Sequence, residues 1–250
     1  MTIRIIKSMQ TRLSKLRRQR AFARDFERFT ELAGNLPKRF TLRWSDRYPC
    51  LNDATSGTDF DRVYVYHTAW AARVLKEIAP KEHVDFSSSL YFVAIASAIA
   101  PIRFFDYRPA NLKLPEVTCE AGDLMSIPFA DQSLPSVSCL HVVEHIGLGR
   151  YGDPLDPDGD VKAMRELQRI VAPGGSLIFA TPVGKPRICF NAHRIYRAAS
   201  ILEQFSELSL HEFSLIPDRA ADGHVIRNAS LDLADQQDYG CGCFWFKRPA

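Results

Sequence analysis

The chain has 250 residues, 46% of them hydrophobic and 24% charged, enough to bury one sizeable core and pointing to a single catalytic-size domain with an appendage. A formal net charge of +3 is small for a nucleic-acid binder, and no nucleic-acid partner is expected. The most apolar runs, Leu90 to Ile102 and Leu134 to Val143, are interrupted by polar residues and fall short of the roughly 20 residues that a helical membrane span needs.

The amino end is basic. Met1 to Arg24 carries Arg4, Lys7, Arg12, Lys15, Arg17, Arg18, Arg20 and Arg24 with no acidic residue, while Ile6, Met9, Leu13 and Leu16 recur at helical spacing. Such a pattern suits an amphipathic helix in peripheral contact with an anionic membrane surface or a partner, and equally a solvated helical arm. No continuous apolar core follows the charges, which disfavours a secretory signal, although an Arg-rich, acid-poor transit peptide would look similar. Phe26, Phe29 and Leu32 extend the helical pattern to Gly34-Asn35, after which Pro37, Pro49, Asn52-Asp53 and Ser56-Gly57 mark irregular chain. Trp44, Tyr48 and Phe60 read as residues that cap a core. A second helix is expected from Tyr64 to Ile78, stopped by Pro80. Residues 1–80 thus read as a basic helical region and 81–250 as the main domain.

From His83 onward strands and helices alternate. Strands are expected at His83 to Phe86, Ile102 to Tyr107, Val117 to Glu120, Ser136 to Val143, Ser176 to Ala180, Leu208 to Ile216 and Cys243 to Lys247. Helices are expected at Leu90 to Ala100, Val161 to Val171 and Ile195 to Phe205. The order predicts an α/β fold, a three-layer Rossmann-like sandwich around a mostly parallel sheet with an antiparallel last strand. The six cysteines, Cys50, Cys119, Cys139, Cys189, Cys241 and Cys243, show no CxxC and no paired metal spacing, so they read as reduced core residues of a cytoplasmic protein. Cys241 and Cys243 fall on one strand face.

Ligands of such sheets sit outside the carboxyl ends of the strands, near the point where strand order reverses. That rule selects Asp85 to Ser89, Asp106 to Arg108, Asp123, His141 to Tyr151 and Thr181 to His193. Asp106 follows Asp85 by about 20 residues, the spacing at which an acid reaches ribose hydroxyls in nucleotide-binding units. The loop Asp153, Asp156, Asp158, Asp160 invites a divalent cation, but exposed turns use the same residues, and Asp160 suits a helix cap. A zinc site from His141, Glu144 and His145 lacks a third clear ligand, so no metal ligand is assigned.

The run VDFSSS, then FFDYRP, then CEAGDLMSIPFADQSLPSVSCLHVVEHI, then ELQRIVAPGGSLIFATP resembles class I S-adenosylmethionine-dependent methyltransferases from about His83 to the carboxyl end. More narrowly, HVVEHIGLGRYGDPLDPDGD with the later FNAHRIY resembles the family termed domain of unknown function number 268. The resemblance implies S-adenosylmethionine as cofactor. Asp85, Ser87 and Ser89 stand where the family's acid-x-Gly-x-Gly loop curls around the methionine part. Asp106 stands where the family holds ribose hydroxyls, and Asp123 with Leu124 where it takes adenine; His141 ends strand four, near methyl donor and acceptor. Serines replace the family's glycines in the first loop, where glycine would permit positive φ and close approach.

Methyl transfer to a hydroxyl profits from alignment and from a general base. His141 and His145 are base candidates because imidazole titrates near neutral pH, and Glu144 is placed to orient one of them. Arg150, Tyr151, Arg187, Asn191 and His193 form a polar, cationic set for a small or glycan-linked acceptor. The function expected is O-methylation of such an acceptor. A catalytically silent binding or scaffolding module in a glycan-modifying assembly accommodates the same residues.

Overall fold

The computed structural model describes residues 2–34 and 40–250, with side chains from residue 11 onward. Asn35, the expected limit of the helical pattern, and Pro37, read as irregular, lie outside the described residues, as do the side chains of Arg4, Ile6, Lys7 and Met9. Contacts divide the chain into two units, Met1–Phe60 and Asp61–Ala250. In the first, helix α1 (Thr2–Ala33) exposes Leu13, Leu16, Phe29 and Leu32, and Phe22 and Phe26 meet Trp44 at ring separations of 5.9 and 5.0 Å. No described helix is long and apolar enough to cross a membrane.

The second unit begins with helix α2 (Arg62–Ile78). The carboxylate of Asp61 accepts from the Tyr64 amide and caps its start, and Ala79 ends it in the left-handed region just before Pro80. Trp70, Ala71, Val74 and Leu75 recur with helical spacing and are buried, which gives α2 one face for the core. This helix therefore packs with the main unit, which starts at Asp61.

Strand β1 (His83–Phe86), helix α3 (Leu90–Ala96), strands β2 (Ile102–Asp106), β3 (Val117–Ala121) and β4 (Leu134–Leu140), helix α4 (Gly159–Ile170) and strand β5 (Val171–Val183) follow. Strands β6 (Arg187–Cys189) and β7 (His193–Ile195) form a small hairpin, then come helix α5 (Ala198–Gln204), strands β8 (Ser209–Ile216) and β9 (Ile226–Arg227), helix α6 (Leu231–Asp235) and strand β10 (Gly240–Lys247). The main sheet runs β3-β2-β1-β4-β5-β10-β8-β9. Strands β1 to β5 pair in parallel, and β10 runs antiparallel to both β5 and β8, as the expected α/β sandwich with an antiparallel last strand requires.

Alternation along the strands divides the core between two faces. Val84, Phe86, Val137, Cys139, Phe179, Phe244 and Phe246 pack on the α4–α5 side; Phe104, Leu140, Ile178, Cys241, Cys243 and Trp245 pack on the α2–α3 side. At Gly175 a Cβ would lie 2.8 Å from the Ala172 carbonyl oxygen and 3.1 Å from that of Leu134, so the turn before the core of β5 admits only glycine.

Three departures from the sequence expectation bear on the site. β4 stops at Leu140 because His141 takes φ +58°, outside strand geometry. The helix after Pro182 starts at Ala198 because His193–Ile195 pairs with Arg187–Cys189. α4 begins at Gly159, and Asp160, buried in its first turn, accepts from the Tyr196 hydroxyl instead of capping.

Burying one large aliphatic side chain is worth about 1.5–3 kcal/mol, and deleting it adds a cavity cost. Leu75→Ala should therefore lower the unfolding free energy of the chain by about 2–5 kcal/mol in a denaturant titration, and a chain starting at Asp61 should still unfold cooperatively. Loss of less than about 1 kcal/mol would mean that α2 is not part of the core.

Candidate active site

Strand order reverses between β1 and β4, so the carboxyl ends of β1 to β4 open onto common space. Two adjoining cavities lie there. The first, about 260 Å³, is lined by Ser87, Asp106, Tyr107, Arg108, Gly122, Asp123, Leu124, Met125 and His141 among others. The second, about 400 Å³, is lined by Tyr64, Ser89, Glu144, Arg150, His193 and Tyr239 among others. Ser87, His141, His145 and Tyr151 border both.

Parallel pairing sets Asp85 beside Ser138 and places His83, Asp85, Ser136 and Ser138 on one sheet face. Asp85 is fully buried and lines neither cavity. Its carboxylate accepts from the Ser88 amide at 3.0 Å and from the Ser138 hydroxyl, and Ser88 Oγ in turn accepts from the Leu140 amide at 3.0 Å. Burial pushes Asp85 up to about 6 against the lowering effect of these hydrogen bonds. Asp85, expected to touch the cofactor, lines neither cavity and instead braces the loop whose Ser87 and Ser89 do.

That loop solves its missing glycines locally. Ser87 adopts φ +57°, the left-handed conformation a glycine would favour, with its amide donating to the Phe105 carbonyl at 2.8 Å. Ser89 spends its hydroxyl on the Phe92 amide as the cap of α3.

Asp106 and Asp123 stand half-buried at the first cavity. Each commits one oxygen to a turn, Asp106 to the Arg108 amide at 2.7 Å and Asp123 to the Met125 amide at 2.8 Å. Their second oxygens have no partner among the described residues. Leu124, 6% exposed, supplies an apolar wall beside them. Arg108 lies over the Tyr151 ring, 4.5 Å from its centroid.

His141, expected as a base candidate, has both ring nitrogens engaged. Nδ1 lies 3.0 Å from Glu144 Oε1 and Nε2 lies 3.1 Å from Cys241 Sγ. Burial opposes a charge on His141, but the Cys241 sulfur and the Glu144 carboxylate outweigh it, so its pKa is raised. Burial would raise Glu144, yet the hydrogen bond from His141 and the charges of His141 and His145 hold it below the usual carboxylate range. His145 differs. Its Nδ1 lies 2.5 Å from the Ala192 carbonyl oxygen, which can only accept, so Nδ1 carries the proton. The lone pair then sits on Nε2, 3.7 Å from Glu144 Oε1.

The second cavity collects three of the five acceptor-side residues. Arg150, Tyr151 and His193 line it, with His193 against the Tyr239 ring at 4.9 Å. Burial, then the nearby His145 charge, lowers the pKa of His193. Arg187 and Asn191 do not line it: Arg187 is exposed and donates to the Lys185 and Asp238 carbonyls, and Asn191 is exposed, 3.5 Å from the Leu148 carbonyl. Sequence reasoning passed over Tyr64, Met125 and Tyr239, whose positions depend on long-range packing; Tyr64, one turn before His67 on α2, had only a helical pattern to mark it.

Three of the four carboxylates of the acidic loop are committed within the fold. Asp153 accepts from the Gly147, Gly149 and Tyr151 amides, Asp156 from the Asp158 amide and Lys162, and Asp160 from Tyr196 with Arg194 beside it at 3.4 Å. Asp153, Asp156 and Asp160 thus do not converge on a common point as cation ligands would. Close packing explains Gly147, where a Cβ would lie 2.0 Å from the Asp156 carbonyl oxygen.

The Asp85 brace makes a testable demand. Asp85→Ala orphans the buried Ser88 amide and leaves the Ser138 hydroxyl only His83 Nε2, 2.7 Å away, so the unfolding free energy should fall by about 1–3 kcal/mol in urea. An unchanged midpoint would show that the carboxylate does not brace the loop.

Residues 129–214 match the model of a family described as Caenorhabditis protein of unknown function, DUF268. No curated protein matches the sequence. Among solved structures, the YcgJ protein of Bacillus subtilis is 12% identical with a TM-score of 0.51, covering 74% of this chain and 99% of its own. The N-methyltransferase NodS of Bradyrhizobium japonicum WM9 is 12% identical with a TM-score of 0.51, covering 74% and 97%. One chain of the Haloferax volcanii complex formed with the Trm112 methyltransferase activator is 18% identical with a TM-score of 0.50, covering 74% and 90%. The chain has the fold of class I S-adenosylmethionine-dependent methyltransferases, and its residues 129–214 resemble the DUF268 family.

Proposed function

We propose that the chain is an S-adenosylmethionine-dependent methyltransferase acting on a hydroxyl of a small or glycan-linked acceptor. The observation that carries this reading is the first cavity, where two half-buried aspartates at the ends of β2 and β3 each keep a carboxylate oxygen without a protein partner beside the apolar Leu124. That donor-hungry set fits a nucleoside. Asp106 would accept from ribose hydroxyls, Asp123 from the adenine amino group, and Leu124 would pack on the ring. When bound, S-adenosylmethionine supplies an electrophilic methyl on a sulfonium and is left as the thioether.

The chain's own work lies in the second cavity. Arg150, Tyr151 and His193 would hold an acceptor there, and aligning it with the methyl would supply much of the rate. His145 Nε2, with its lone pair free, would take the proton of the acceptor hydroxyl as the oxygen attacks. The resulting imidazolium would sit 3.7 Å from the Glu144 carboxylate, which stabilises it. His141 is thereby reassigned from base to wall. One observation favours the silent-module alternative: Ser87 and Ser89 already direct their hydroxyls to the protein's own backbone.

Titration calorimetry with S-adenosylhomocysteine separates the two. The enzyme reading expects binding that weakens about 10–100-fold in Asp106→Ala, the loss of a hydrogen bond to a charged group. No heat at millimolar ligand would eliminate it. With an acceptor in hand, His145→Gln should lower kcat by about 10²–10⁴-fold and leave S-adenosylhomocysteine affinity within about twofold. Full turnover in that variant would remove His145 from the chemistry.

A further inference from the structure

Behind the shared wall of the two cavities, His67 of α2, His141 at the end of β4 and Cys241 of β10 bring their donor atoms within 4.8 Å of one another. All three residues are buried, His67 and Cys241 completely. The His67 and His141 rings lie 4.8 Å apart, centroid to centroid. None of the three is close to another in sequence, so the cluster exists only through the packing of α2 against the sheet.

His67 supplies the observation that calls for a ligand. Its Nδ1 lies 2.6 Å from the Val63 carbonyl, which can only accept, so Nδ1 carries the proton and Nε2 presents a lone pair. That Nε2 is buried and has no hydrogen-bond partner among the described residues. A buried acceptor without a donor is costly and rare enough to demand an occupant. On His141, Glu144 engages Nδ1 and Nε2 faces the Cys241 sulfur, so the proton Nε2 shares with that sulfur is one a cation would displace. Carbonyl and carboxylate partners on the distal nitrogens are the outer contacts that orient metal-bound histidines. The left-handed φ of His141, +58°, is a strained backbone state that serves to aim its ring into the cluster.

We propose that His67 Nε2, His141 Nε2 and Cys241 Sγ form a site for a borderline-soft divalent cation, zinc being the ion this donor set suits best. Two imidazoles and a thiolate are zinc ligands at bond lengths of about 2.0–2.3 Å, whereas magnesium and calcium demand oxygen donors absent here. On binding, His141 Nε2 and the Cys241 thiol each give a proton to solvent and offer the freed lone pairs to the cation, which also satisfies the orphaned His67 nitrogen. The ion would tie α2, β4 and β10 together directly behind the wall that His141 gives to both cavities. This inference stands on the buried cluster alone and holds whether or not the cavities take S-adenosylmethionine.

Cobalt reports thiolate ligation directly. The full chain, stripped with a chelator and titrated with Co²⁺, should take up one equivalent with a near-ultraviolet thiolate-to-metal charge-transfer band, and Zn²⁺ should bleach it. Cys241→Ser should abolish the band, His67→Ala should weaken uptake about tenfold or more, and Cys50→Ser combined with Cys189→Ser should leave both unchanged. Because the wild-type titration needs no variant to fold, it decides by itself: no uptake at micromolar Co²⁺ or Zn²⁺ overturns the site. So does a band that survives Cys241→Ser, or one that disappears with Cys50 and Cys189.

Discussion

The buried carboxylate of Asp85 is the interaction on which the geometry of the cavities rests. It spans the point where strand order reverses, taking the Ser138 hydroxyl from β4 and the Ser88 amide from the loop after β1. Ser88 then accepts from the Leu140 amide, one residue before His141. A single buried charge thus fixes, through two short links, both left-handed residues that border the cavities, Ser87 and His141. A charge in that position costs solvation energy, which is why its pKa rises. Hydrogen bonds to it limit the loss.

Much of the fold was legible because it depends on local chemistry. Strand and helix periods marked the alternation from His83 onward, and the turns after β2 and β3 placed Asp106 and Asp123 at one cavity because a carboxylate there bonds the amide two residues on. Side-chain direction was less legible. Asp85 lies in the strand with its side chain on the buried face, so the same sequence motif that suggested contact with a ligand puts the acid beneath the loop. Arg187 and Asn191 looked like parts of a cationic grip, but the β6–β7 hairpin carries them away from the cavities, and no local pattern announced a hairpin of three-residue strands.

The residues around His141 were hidden for a different reason. His67 was one polar position on an apolar helix face, and Cys241 one of several scattered thiols; only the packing of α2 and the antiparallel insertion of β10 between β5 and β8 unite them. The acidic loop was the opposite case, conspicuous in sequence and closed in structure. The carboxylates of Asp153, Asp156 and Asp160 are taken up by Gly147, Gly149, Tyr151 and Asp158 amides and by Lys162 and Tyr196. Ser87, for its part, bears a left-handed backbone worth about 1–2 kcal/mol of strain that glycine would avoid, and the Asp85 brace is what holds it there.

The central claim is that the carboxyl ends of β1 to β4 form a nucleoside site. A crystal structure of the chain grown with S-adenosylhomocysteine tests it most directly. The account predicts the ribose hydroxyls within hydrogen-bond distance of Asp106, the adenine amino group at Asp123 and the ring against Leu124. Ligand bound elsewhere on the chain, or an Asp106 carboxylate turned away from the ribose, would contradict it.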